Sequence, residues 1–188
     1  MNAAPEDLLE DAERKEALRR GDAGAYAELY RLLRPRLCGF LRHLGADPAQ
    51  AEELAQETLL RLARHAVSLP AHTRLRPWCF AVARHLWLDQ RRRVLLAAAH
   101  DGWAGRALQA EPPPAPDVAS DAARSRLRLE RAMAELSEPL REAISLTAVG
   151  GLSAEEAAAV LGIEGAALRQ RLARARSALR ARLGEEAR

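Results

Sequence analysis

Residues 151–183 read GLSAEEAAAVLGIEGAALRQRLARARSALRARL, and this stretch decides the architecture. Ser153 and Glu156 have the spacing of a capping box, which opens a short helix ending near Leu161. Gly162-Ile163-Glu164-Gly165 turns the chain, and a last helix is predicted from about Ala166 to Leu183. Leu152, Ala157, Val160 and Leu161 face inward from the first helix, and Ile163 plugs the turn. In the last helix Leu168, Leu172, Ala175 and Leu179 recur at helical spacing and make one apolar stripe. Two helices joined by a tight glycine-containing turn are a helix-turn-helix.

Between the apolar positions lie arginines. The segment Gly165 to Gly184 holds six of them and no acid. A merely solvated face interleaves acids with bases, because like charges at i,i+4, such as Arg176 and Arg180, repel by roughly 0.2–0.5 kcal/mol. A polyanion on this face removes that cost. Helix-turn-helix proteins set the start of the second helix in the major groove. Arg169, Gln170, Ala173 and Arg174 are therefore expected at base edges, with Arg171, Arg176 and Arg180 nearer phosphates.

Working outward, Arg124 to Leu136 reads as helical, and Ser137 can cap a helix running to Val149, where Gly150-Gly151 stops it. The C-terminal domain is thus four helices. Ahead of it, from about Ala99 to Asp121, stand Gly102, Gly105 and the prolines 112, 113, 114 and 116, a composition that cannot continue a helix. The expected organisation is an N-terminal domain over 1–96, a flexible linker over 97–122 and a C-terminal domain over 123–188. In the first domain a helix is predicted from Pro5 to Arg20. Asp22 can cap a second one, carrying Tyr26, Leu29, Tyr30, Leu33, Leu37, Phe40, Leu41 and Leu44, which Pro35 should kink or interrupt. Asp47-Pro48-Ala49-Gln50 combines an N-cap acid, proline at the first helical position and glutamine three after the cap, and starts a helix to about His65. Ser68 to Arg76 is a loop, followed by a helix over Pro77–Arg93. The fold class is all-α: two small helical domains joined by a proline-rich linker.

Composition agrees. Hydrophobic residues make up 48% and charged residues 29%, which is globular, while 4% aromatics with abundant Ala, Leu and Arg favours helix over sheet. The net charge of +3 does not by itself indicate nucleic acid; the clustering of the basic residues does. No apolar run spans a bilayer, so no membrane insertion is expected. The start of the chain, with Glu6, Asp7, Glu10 and Asp11, lacks a signal-peptide pattern. Cys38 and Cys79 make no disulfide framework, and a reducing cytoplasm is the simplest location.

A second basic region holds Trp78, Phe80, Arg84, Trp87, Arg91, Arg92 and Arg93. Aromatics beside arginines suit single-stranded DNA, where bases stack on rings. The alternative makes Trp78, Val82 and Leu86 plain core, and for Trp78 that alternative is preferred. His65, His72, Cys79 and His85 match no zinc-site spacing. No phosphate loop, nucleophile elbow or usable carboxylate pair appears, so neither a cofactor nor an enzyme is expected.

The whole chain resembles the RNA polymerase sigma factors of the extracytoplasmic-function (ECF) group, which keep only the second and fourth sigma domains. Ala51-Glu52-Glu53-Leu54-Ala55-Gln56-Glu57-Thr58-Leu59 resembles the family's polymerase-binding segment. Trp78 to Leu86, with Asp89 and Arg92-Arg93, resembles its W-L-x-x-I-A-R-N-L-x-x-D-x-x-R-R segment. Leu136 to Ala143 is similar to L-P-x-x-x-R-E-A, Gly151 to Ala158 to G-L-S-x-E-E-I-A, and Arg171 to Arg176 to R-L-x-R-A-R. The departures are Ala166-Ala167-Leu168-Arg169-Gln170 in place of Gly-Thr-Val-Lys-Ser, His85 in place of asparagine and Leu59 in place of phenylalanine. The resemblance implies a protein without catalysis that directs core RNA polymerase to promoter DNA and assists strand opening. It assigns Glu53, Gln56 and Glu57 to the polymerase. It assigns Ser68, His72, Thr73, Arg74, Arg84, His85, Arg91 and Arg92 to the minus-ten element, and the last helix to the minus-thirty-five element. An anti-sigma factor is an implied partner. Two other classes fit part of the pattern: a helix-turn-helix regulator, and a sigma-like module that only titrates an anti-sigma factor.

Overall fold

The computed structural model describes residues 12–70, 72–100 and 121–185. Among them are eight helices and no strand: α1 (Ala12–Arg19), α2 (Ala23–His43), α3 (Pro48–His65), α4 (Leu75–His100), α5 (Asp121–Ala134), α6 (Glu138–Ala148), α7 (Ala154–Leu161) and α8 (Gly165–Glu185). The expected helix start at Pro5 and most of the proline-rich linker lie outside the described residues. None of the described helices is long and apolar enough to cross a membrane.

Local chemistry sets most boundaries. The Asp22 carboxylate accepts from the Ala25 amide at 2.8 Å and starts α2. Asp47 and Gln50 form a full capping box at α3, as do Ser153 and Glu156 at α7. Gly162, at φ 66°, ends α7 in the left-handed region where a side chain is strained. Three expectations need correction. Pro35 lies within an unbroken α2. Its lost backbone bond and steric clash cost about 3 kcal/mol, but Leu33, Leu37, Phe40 and Leu41 around it are fully buried, and each such side chain gains about 1.5–3 kcal/mol. Ser137 sits at the N-cap of α6 without a side-chain capping bond, and Pro139 at the helix start sets the turn in its place. Helix α4 starts at Leu75, inside the expected loop, and continues beyond Arg93 to His100.

Helices α2, α3 and α4 enclose Leu33, Leu37, Phe40, Leu59, Leu62, Cys79 and Phe80, with Phe40 and Phe80 edge to face at 5.3 Å. Helices α5 to α8 enclose Met133, Leu136, Leu146, Leu152, Leu168, Leu172 and Ala175. These are not separate cores: the buried side chains of both halves form one continuous cluster. Helix α6 packs on α2, and α7 on α4. A glycine sits at this contact: at Gly150 a Cβ would lie 3.1 Å from the Phe80 ring across it and 2.5 Å from the Leu146 carbonyl oxygen of its own half. Across the same contact a hydrogen bond of 3.1 Å joins His43 Nδ1 to the buried Ser145 hydroxyl, and Arg76 donates to the Gly151 carbonyl at 2.8 Å.

Candidate nucleic-acid interface

Helices α7 and α8 form the expected helix-turn-helix. Leu168, Leu172 and Ala175 are buried and Leu179 packs on their edge, so the apolar stripe fixes which face of α8 meets solvent. That face carries Arg169, Gln170, Ala173, Arg174, Arg176 and Arg180, all exposed, with Arg171 half-buried beside them. Its first turn holds no acid, and the unpaired amides of a helix start add positive potential there. Arg182 is different, because its guanidinium is committed to Glu135 at 2.7 Å and ties the end of α8 back to the turn that follows α5.

The acidic face of α3 is of opposite sign. Glu53 and Gln56 are exposed, and Glu57 pairs with Arg61 at 2.8 Å, a hydrogen bond that holds its carboxyl below the ordinary carboxylate range. Glu52, one residue outside that triplet, is engaged within the protein. It accepts from Arg34 at 2.6 Å, which lowers its pKa, and from the Cys38 thiol at 3.4 Å. Burial, with that bond to a carboxylate, pushes the Cys38 thiol up to about 11.

The residues assigned to the minus-ten element divide into two sets. Ser68, His72, His85 and Arg92 are exposed, and Thr73 is half-buried. Thr73 lines a shallow pocket at the foot of the loop with Lys15, Arg19, Leu69 and Pro70. The other set is engaged by the second half of the chain. Arg74 pairs with Glu156 at 2.9 Å. Arg84 grips Glu142 through two bonds of 2.9 and 3.2 Å. Arg91 pairs with Glu138 and lies 6.0 Å from the Trp87 ring. Sequence reasoning missed these glutamates and Arg76. The signal present was Glu142 itself, an acid flanked by the apolar run of α6 yet buried. The stacking platform is corrected too: Phe80 and Trp87 are core, and Trp78 packs against the same cluster. His65, His72, Cys79 and His85 do not converge, and no three potential metal ligands cluster among the described residues.

An all-helical chain with an arginine-lined helix-turn-helix at one end and a basic helix in the other half has the build of a DNA-binding protein. The sequence model for Sigma-70 region 2 matches residues 29–94, and that for Sigma-70, region 4 matches residues 126–179. The chain is 34% identical to RNA polymerase sigma factor CarQ of Myxococcus xanthus, over 90% of this chain and 95% of that one. It is 36% identical to the ECF RNA polymerase sigma factor SigL of Mycobacterium tuberculosis, over 88% and 94%. Among solved structures it is similar to the sigma factor RpoE in complex with the anti-sigma factor NepR from Bartonella quintana. There the TM-score is 0.70 at 27% identity, covering 85% of this chain and 96% of that one. CnrH in complex with the cytosolic domain of CnrY follows, with TM-score 0.64, 26% identity and coverage of 93% and 99%. The chain belongs to the ECF group of RNA polymerase sigma factors. Its function is promoter-specific transcription initiation, and the family is not one of classical enzymes.

Proposed function

We propose a division of labour along the chain. Residues 1–96 hold core polymerase through Glu53, Gln56 and Glu57 and dock on the minus-ten element. The segment between α4 and α5 joins this half to the next, and residues 123–188 read the minus-thirty-five element through α8. Arg169, Gln170, Ala173 and Arg174 meet base edges, while Arg171, Arg176 and Arg180 meet phosphates. In the first half Ser68, His72, Thr73, Arg74, Arg84, His85, Arg91 and Arg92 serve the minus-ten element. The loop from Ser68 accepts an unstacked base there and so assists strand opening. The single observation that carries this reading is the pair of exposed faces of opposite sign, arginines without acids on α8 and Glu53–Gln56–Glu57 on α3. A regulator acting by DNA binding alone has no use for the second. The protein works in the cytoplasm, where polymerase and promoters are. The likeness to a sigma factor solved in complex with an anti-sigma factor supports an anti-sigma factor as its further partner.

In vitro transcription with purified core polymerase on a genomic fragment library tests this. Transcripts that start at defined sites only when the chain is present are expected. DNA binding without transcription would mean a regulator, and neither activity would mean a module that only titrates its inhibitor.

A further inference from the structure

Helix α1 carries none of the residues assigned to polymerase or DNA, yet it reaches the loop that accepts the unstacked base. The Arg19 guanidinium donates to the Leu69 carbonyl at 2.9 Å, across fifty residues of sequence. Two local turns flank that carbonyl. In the first, the His65 carbonyl accepts from the Ser68 amide at 2.9 Å, the Ser68 hydroxyl at 2.9 Å and the Leu69 amide at 3.0 Å. In the second, the Thr73 amide donates to the Pro70 carbonyl at 2.9 Å. Arg19 thus bonds the peptide where one turn meets the other. The arginine is itself held in place. Leu18 beside it is buried, Gly21 at φ 75° turns α1 back into α2, and the Glu16 carboxylate stands 3.6 Å from the guanidinium. Its side chain is 25% exposed and walls the pocket at the foot of the loop together with Leu69 and Thr73.

Resting on the functional reading above, we propose that Arg19 is a positioning residue for recognition of the minus-ten element. It touches no base. It holds Ser68 and Thr73 in one geometry, so that the loop meets DNA already shaped. Discrimination requires this. A loop free to adjust can mould itself around any base, and every residue it orders on binding takes conformational entropy from the complex. A loop locked by a supporting hydrogen bond rejects a poorly fitting base because it cannot move to take it in. Arginine suits the task, because a charged donor bonds a carbonyl more strongly than a neutral side chain does. Both partners lie in the first half of the chain, so the effect is confined to the minus-ten element.

The test uses the full-length chain assembled with core polymerase. Arg19→Met keeps an aliphatic stem over the pocket and a good helix former in α1, and removes the donors. Arg19→Lys keeps a charged donor. Transcripts are sequenced from two template libraries, one randomised at the minus-ten element and one at the minus-thirty-five element. Arg19→Met is expected to narrow the spread of minus-ten preference by about tenfold, the scale of one charge-assisted hydrogen bond. The minus-thirty-five preference should not change, and Arg19→Lys should retain part of the minus-ten preference. Hydrogen exchange at the Ser68, Leu69 and Thr73 amides should quicken in Arg19→Met while the interior of α3 stays protected. An unchanged minus-ten preference overturns the proposal. So does an equal loss at both elements, which is what a merely structural role would give. A minus-ten preference that survives exchange of the whole loop would instead sink the functional reading of the loop, and the proposal with it; the exchange rates would then report a clamp that serves no recognition.

Discussion

Replacing Arg174 and Arg180 by alanine, one at a time, separates the reading of bases from the holding of phosphates on α8. Both side chains are exposed on the face opposite the buried Leu168–Leu172–Ala175 stripe, so neither substitution opens a cavity. Exposed arginines on this helix are Arg169, Arg174, Arg176 and Arg180; Arg182 is spent on Glu135. With Arg171, Arg176 and Arg180 on phosphates, the slope of log affinity against log salt is about −2.7, and binding falls about 40-fold between 50 and 200 mM salt. Removing one phosphate contact brings that fall to about 12-fold, because the slope loses about 0.9. Arg180→Ala is expected to do this for every sequence alike. Arg174→Ala is expected to relax preference at one base pair of the minus-thirty-five element by roughly 1–3 kcal/mol, or about 5- to 150-fold. Anisotropy titrations against a panel of single-base promoter variants at several salt concentrations measure both quantities. Equal, sequence-independent losses for the two variants would reduce Arg174 to a backbone contact, and no loss for either would remove DNA binding from this helix.

Charge reversal of Glu53 and Glu57 should weaken capture of core polymerase at physiological salt while the helical circular dichroism signal stays the same; unchanged capture refutes the assignment of the α3 face. Exchange of the Ser68–Arg74 loop for that of another ECF sigma factor should change the minus-ten preference seen in transcript start sites and leave the minus-thirty-five preference alone. The exchange must stop short of Leu75 and Arg76, which are buried, the latter donating to the Gly151 carbonyl of the second half. The contact between the two halves should lose stability as pH falls. Burial holds the His43 imidazole below its ordinary value near 6.5, against the pull of Glu130 and with help from Arg42 and Arg141. A chain whose halves have parted therefore takes up the proton first, so the contact is at full stability above about pH 6.5 and loses it below, toward the depressed value. Scattering followed from pH 7.5 to 5.5 checks this, and His43→Gln should flatten the dependence.

What the sequence disclosed follows from the range of the interactions involved. The boxes at Asp47–Gln50 and Ser153–Glu156 and the turn at Gly162 are settled within a few residues, so composition alone reveals them. The face of α8 was legible because four apolar positions fix its rotation. Pro35 does not interrupt α2, because burial on either side of it outweighs its local cost. Phe80 and Trp87 misled because an aromatic flanked by arginines reads the same whether the ring points to solvent or to the core. The pairing of Arg84 with Glu142 had no local signature at all: fifty-eight residues separate them, and only the packing of α6 against the first half brings them together.

The notch at Gly150 bears on how such proteins can be recombined. With the Leu146 carbonyl and the Phe80 ring so close, the position admits no side chain without displacing backbone. A second half transplanted from a relative would have to bring its own glycine there and find a ring of the right depth opposite. On the proposed assignment, the minus-thirty-five preference travels with the exposed arginines of α8. Mutual fit belongs to neither half alone. Exchanges made between His100 and Asp121 should therefore transmit the minus-thirty-five preference while losing the matched seam.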